Sequence, residues 1–302
     1  MPSSRSAPAP LAALAGVVLA FAIAIFLSGP LHGAIASFAP SAPFAKVFRY
    51  LLLAGLVTVF LVAARPWRDV PSDVWGLEGR RPDLRRWSLG VATGIGFLVA
   101  IAALDALAGH LSFDPEGPHK LLTRLPTILG LLLVLAPLEE TFFRGWLLDR
   151  FRSRFAERTS HLAVAAVFAG VHAFRERDAP RQLAASASGA LDVLAAWGRN
   201  LVDWRVFGPS FVGLFLLSLV LSASRRRFGS LWFGVGLHGA AAAWLHVNSS
   251  LTERSIERDW TGSKWLYDGV PGWCVLAGVL FAITRGAAAP LPPPRPPDPP
   301  PR

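Results

Sequence analysis

Apolar residues fall in long blocks separated by short basic connections, and these blocks set the expected elements. Eight of them, at 11–28, 46–64, 88–109, 127–148, 159–174, 209–222, 230–247 and 271–284, reach or approach the roughly 20 apolar residues a helix needs to cross a bilayer. The fifth, sixth and eighth are short for a full span and read as tilted or half-buried helices. The first follows a segment whose single basic residue is Arg5, which favours a retained helix over a cleaved secretion signal. The pattern predicts an all-α, multi-pass integral membrane protein with about eight transmembrane helices, occupying residues 1–286. Residues 178–205 read as a mixed amphipathic connection at the outer surface. The last residues, 290–302, hold nine prolines and predict an extended, solvated tail, so 287–302 is set apart as a disordered proline-rich terminus.

Composition sharpens this picture. With 53% apolar and only 17% charged residues, and a mean hydropathy of +0.44, the chain is too apolar for an ordinary cytosolic enzyme and too apolar to be disordered. The net charge of +10 raises the question of nucleic acid, but that reading needs a basic face on a soluble module. Here the arginines sit between apolar blocks. Arg65, Arg68, Arg80, Arg81, Arg85 and Arg86 form one group, Arg150, Arg152, Arg154 and Arg158 a second, and Arg225, Arg226 and Arg227 a third. The alternate connections are poor in basic residues or mixed with acids, which is the positive-inside asymmetry with both termini cytoplasmic. The bilayer and its anionic headgroups are therefore the expected partner, with no nucleic acid, and a bacterial inner (cell) membrane is the expected location. Eleven tryptophans suit membrane interfaces. Cys274 stands alone, so neither an intrachain disulfide nor a cysteine zinc site can form.

Ionisable residues inside apolar blocks carry an insertion cost of roughly 2.5 to 3.5 kcal/mol each and need a reason. Asp105, near the end of the third block, reads as interfacial. The fourth block holds Glu139, Glu140 and Arg144 after a stretch without charge. Glu140 and Arg144 lie one helical turn apart and can pair, while Glu139 faces about a hundred degrees away with no partner on its own helix. Pro137 removes a backbone donor just before them and should loosen the turn. His172, one turn after Phe168 in the fifth block, and His238, flanked by Gly234, Gly236, Gly239 and Ala240 in the seventh, complete the set. A carboxylate base, a group to orient water and a donor for an oxyanion suit amide hydrolysis.

Glu139-Glu140-Thr141-Phe142-Phe143-Arg144 matches an EExxxR motif, Phe168 to His172 matches FxxxH, and His238 opens an HxxxN-type motif. In this order they resemble the CPBP family of intramembrane proteases, also called the CAAX-protease or Abi family, over roughly residues 127–247. The resemblance implies a helical membrane fold with a buried polar active-site cavity and a membrane-associated peptide or protein substrate. It implies that Glu139 and His172 activate water, that Glu140, Arg144 and Phe168 support the site, and that His238 helps form the oxyanion hole. No cofactor is expected. Two Glu and two His are compatible with zinc, but the chain has no HExxH-like helix, which favours a metal-free glutamic endopeptidase. One position departs: the family's asparagine, four residues after the last histidine, is Ala242. That departure keeps open an alternative, a catalytically weak or inactive relative serving as a membrane-protein binding, maturation or immunity factor. His246 and Asn248 lie farther along, at the end of the same segment, but replace the missing amide only if the helix breaks or bends.

Overall fold

The computed structural model describes residues 10–40, 42–63, 83–172, 183–255, 260–263 and 265–285. The proline-rich terminus, Arg5 and the connection bearing Arg65, Arg68, Arg80 and Arg81 lie outside the described residues. Nine helices occur among the described residues: α1 (Pro10–Ala36), α2 (Phe44–Ala63), α3 (Leu84–Leu107), α4 (Gly117–Arg152), α5 (Glu157–Val171), α6 (Ala187–Val202), α7 (Trp204–Phe228), α8 (Trp232–Leu251) and α9 (Val270–Arg285). Two short strands, β1 (Leu111–Phe113) and β2 (Thr252–Arg254), pair antiparallel with Leu111 opposite Arg254.

Among the described residues, four helical segments are long and apolar enough to cross a membrane: Leu14–Ala36, Leu84–Leu107, Gly117–Arg152 and Phe207–Phe228. Large apolar side chains stand exposed along them, including Leu19, Phe26, Leu133 and Val134. Water would penalise such an exterior, whereas lipid accepts it because each helix satisfies its own backbone hydrogen bonds.

The chain divides into two compact units. In the first, α1, α2 and α6 enclose Ala24, Phe44, Phe48, Val193 and Trp197. Gly55 lies against Ala20 so closely that a Cβ would come within 2.9 Å of the Ala20 methyl. Such small-residue contacts let membrane helices approach. Within the stretch read as an amphipathic connection, 187–202 form helix α6, capped by the Ser186 hydroxyl accepting from the Gly189 amide. Its Ala190, Val193 and Trp197 recur at helical spacing and bury one face.

The second unit is built around α8. Gly90 and Gly94 on α3 face Phe233 and Leu237 on α8, and a Cβ at Gly90 would lie 2.1 Å from the Phe233 carbonyl oxygen. Gly236 meets the Trp87 carbonyl equally closely, and Gly239 rests on Leu132 and Ala136 of α4. The glycines thus set the depth at which α8 packs between α3 and α4. Helix α4 begins ten residues before its sequence-predicted start and passes through Pro126 without a break. Its polar first turns find partners: Lys120 donates to Asp114, and Arg124 donates to the Ser249 and Ser250 hydroxyls. Farther along, two stretches of α4, Leu131–Leu135 and Thr141–Leu147, widen to π-helical winding on either side of Ala136–Glu140. Pro137 sits between them, and Thr141 Oγ1 donates to the Pro137 carbonyl. The loosened turn expected from Pro137 is therefore spread over both flanks, and such π-bulges commonly accompany functional sites.

Asp105, read from the sequence as interfacial, has a partner within the protein. It is buried beside β2, ion-paired with Arg254, whose guanidinium also donates to Thr261 Oγ1 and the Gly262 carbonyl. Nearby, the 2.6 Å hydrogen bond from Lys120 holds the Asp114 carboxyl below its usual range, and the Glu116 amide adds to the effect. A depressed acid stabilises the fold above its unfolded value and loses that contribution as pH falls through its folded value. Acidification below about pH 4 is therefore expected to speed hydrogen exchange at the start of α4, and Asp114→Asn to abolish that pH dependence.

Candidate active site

Three helices of the second unit bring together the residues singled out in the sequence. Glu139 and Glu140 lie on α4 between its π-wound stretches, His172 closes α5, and His238 lies on α8. Glu139 finds no partner along α4 but is faced from two other helices. Its Oε2 lies 3.5 Å from His172 Nε2 and 3.6 Å from His238 Nε2, and this buried oxygen has no hydrogen-bond partner.

The second nitrogen of each imidazole fixes its tautomer. His172 Nδ1 lies 2.8 Å from the Phe168 carbonyl, which can only accept, so Nδ1 carries the proton and Nε2 is turned toward Glu139. His238 Nδ1 lies 2.9 Å from Glu140 Oε1. Because that oxygen also accepts from Arg144 Nη1 at 2.9 Å, it is a carboxylate oxygen and His238 Nδ1 is the donor. His238 Nε2 can then donate to a third group only when the ring carries both protons.

Glu140 and Arg144 are fully buried and paired along one face of α4, as their spacing predicts. Room for the Glu140 carboxylate comes from Gly234, where a Cβ would lie 3.2 Å from Glu140 Oε2. Phe168 is the hub of the packing. The Arg144 guanidinium carbon lies 4.4 Å from its ring centre, the His172 ring 4.3 Å and the His238 ring 5.7 Å. Phe143 packs edge-on against it. Two contributors had no motif to mark them: Gly234, and Ser218 on α7, whose hydroxyl accepts from Arg144 Nη2 at 2.8 Å. The only sequence signal for Ser218 is a serine interrupting an apolar run.

Ala242 lies one turn beyond His238 on an unbroken α8. Asn248 stands ten residues from His238, about 15 Å along the same axis, so it does not stand in for the missing amide. Among the described residues, no group of three or more His, Cys, Asp or Glu is arranged to hold a metal ion.

A family model described as "Type II CAAX prenyl endopeptidase Rce1-like" matches residues 121–244, from the first turns of α4 through most of α8. No curated protein and no solved structure matches the chain. The matched segment contains every motif residue named above, all of α5 and most of α4 and α8. Residues 121–244 are thus similar to the Rce1-like CAAX-protease domain, within the CPBP group, and this likeness together with the long apolar helices fits an integral membrane protein.

Proposed function

We propose that the protein is a glutamic intramembrane endopeptidase that hydrolyses a peptide bond of a membrane-associated protein with a water activated by Glu139. The observation that carries this reading is the half-buried Glu139 carboxylate, whose Oε2 is buried and without a hydrogen-bond partner between two imidazoles of fixed tautomer. A water held by Glu139 and His172 gives a proton to Glu139 as its oxygen attacks the carbonyl carbon. The oxyanion takes a hydrogen bond from His238 Nε2 when that nitrogen carries a proton. Collapse of the intermediate breaks the C–N bond, and the proton on Glu139 passes to the departing amine. Glu140 and Arg144 keep His238 oriented, and Phe168 holds both rings in place.

In this reading residues 1–286 form the transmembrane protease domain, with about eight spans and a polar active-site cavity reached by water, and the proline-rich 287–302 lie outside that domain. The domain sits in a bacterial cell membrane with both termini cytoplasmic. The chemistry needs no metal, and a chelator separates it from a zinc-dependent reaction. The test compares a co-expressed membrane-protein library, including prenylated substrates, cleaved by wild type and by Glu139→Ala, with and without chelator. Products that vanish with Glu139→Ala and persist with chelator support the proposal. A product set identical in both proteins refutes it, and activity lost to chelator and restored by zinc refutes the metal-free version.

Ala242 favours a second reading, a weak or inactive relative that binds its target. An alanine cannot donate to an oxyanion, and loss of one such donor lowers kcat by about a hundredfold or more. Ala242→Asn is therefore expected to raise kcat by about tenfold to a hundredfold with little change in KM. If the wild type is only a binder, Ala242→Asn leaves turnover at background.

A further inference from the structure

We propose that Ser218, outside every motif above, is a positioning residue that holds Arg144 and, through it, the groups facing Glu139; the inference rests on the hydrolytic reading. A continuous chain of contacts joins them. Ser218 Oγ accepts from Arg144 Nη2 at 2.8 Å, and Arg144 Nη1 donates to Glu140 Oε1 at 2.9 Å. That same oxygen accepts from His238 Nδ1 at 2.9 Å, and His238 Nε2 stands 3.6 Å from Glu139 Oε2.

Ser218 is fully buried between Leu217 and Leu219 in the apolar middle of α7. A lone hydroxyl there is unfavourable unless it is hydrogen-bonded, and its partner is the guanidinium. Arg144 needs this second anchor. Its Nε has no hydrogen-bond partner, so along α4 only Glu140 holds it, at one edge. A planar guanidinium held at one edge can turn about that contact. The Ser218 hydroxyl, and more weakly its carbonyl at 3.5 Å, come from a different helix and fix the plane over the Phe168 ring. Because Phe168 also packs on both imidazoles, a guanidinium that turns disturbs both sides of Glu139.

The test uses the full chain with Ser218→Ala and Ser218→Thr. Ser218→Ala is expected to lower kcat about tenfold at unchanged KM, and Ser218→Thr, which keeps the hydroxyl, to restore it. A second readout does not depend on turnover. The ¹⁵N-histidine signal of His238, assigned by its loss in His238→Gln, is expected to move in Ser218→Ala and return in Ser218→Thr. If Ser218→Ala does not fold, Ser218→Cys, close in size and a weak acceptor, is expected to show the same kcat loss and the same shift. Wild-type kcat together with an unmoved His238 signal overturns the proposal, as does a raised KM at unchanged kcat. If wild type gives no Glu139-dependent product, the hydrolytic reading fails, and the His238 signal alone decides whether Ser218 positions the ring.

Discussion

Glu139→Gln is expected to lower kcat by about 10²- to 10⁴-fold, the range a positioned general base contributes. The amide keeps the shape of the carboxylate but cannot take a proton from water. Glu139 is not part of the Glu140–Arg144 pair, and its Oε2 makes no hydrogen bond that folding depends on. Removing its charge therefore leaves the protein folded, with a melting temperature no lower than that of wild type. Measuring kcat and thermal unfolding in the same detergent preparation checks both halves. A variant that is inactive because it is unfolded would place Glu139 in the scaffold instead.

Arg144→Ala is expected to act in the opposite way, through stability. Both members of the pair are fully buried, and removing the cation leaves the Glu140 carboxylate uncompensated, at a cost of about 3–5 kcal/mol. Glu140 would retain only the hydrogen bond from His238. Replacing both partners by apolar residues of similar volume, Arg144→Met with Glu140→Leu, is expected to recover most of the lost stability, because neither charge is then stranded. Activity should not return with it, since His238 Nδ1 loses its acceptor. Equilibrium unfolding of the two single variants and the double variant tests this. An Arg144→Ala protein as stable as wild type would show that the pair does not hold the helix.

Much of the helical layout was legible because apolar block length is a strong signal. The blocks at 46–64, 88–109 and 230–247 lie within a few residues of α2, α3 and α8. The start of α4 was missed because Lys120, Arg124 and Pro126 read as a boundary. The fixed φ of proline fits a helix, and the two cations are satisfied by Asp114, Ser249 and Ser250, which are distant or non-helical in sequence. Helix α6 was hidden because alanines make up much of its buried face.

At the site, spacing alone paired Glu140 with Arg144, since one turn of helix relates them. It said nothing about what faces Glu139, because those contacts come from α5 and α8. The bond of His238 to Glu140 as well as its approach to Glu139 was equally invisible, and so was Ser218, 74 residues from its partner. The π-wound stretches that flank the two glutamates leave no mark in the pattern of apolar positions.

The most direct test of glutamate-dependent hydrolysis is single-turnover cleavage of membrane-tethered peptides by the reconstituted protein in H₂¹⁸O, read by mass spectrometry. The expected result is a product pair whose new carboxyl terminus carries one solvent oxygen, and its disappearance with Glu139→Gln. Cleavage that persists in Glu139→Gln, or a wild type that leaves every peptide intact, would contradict it.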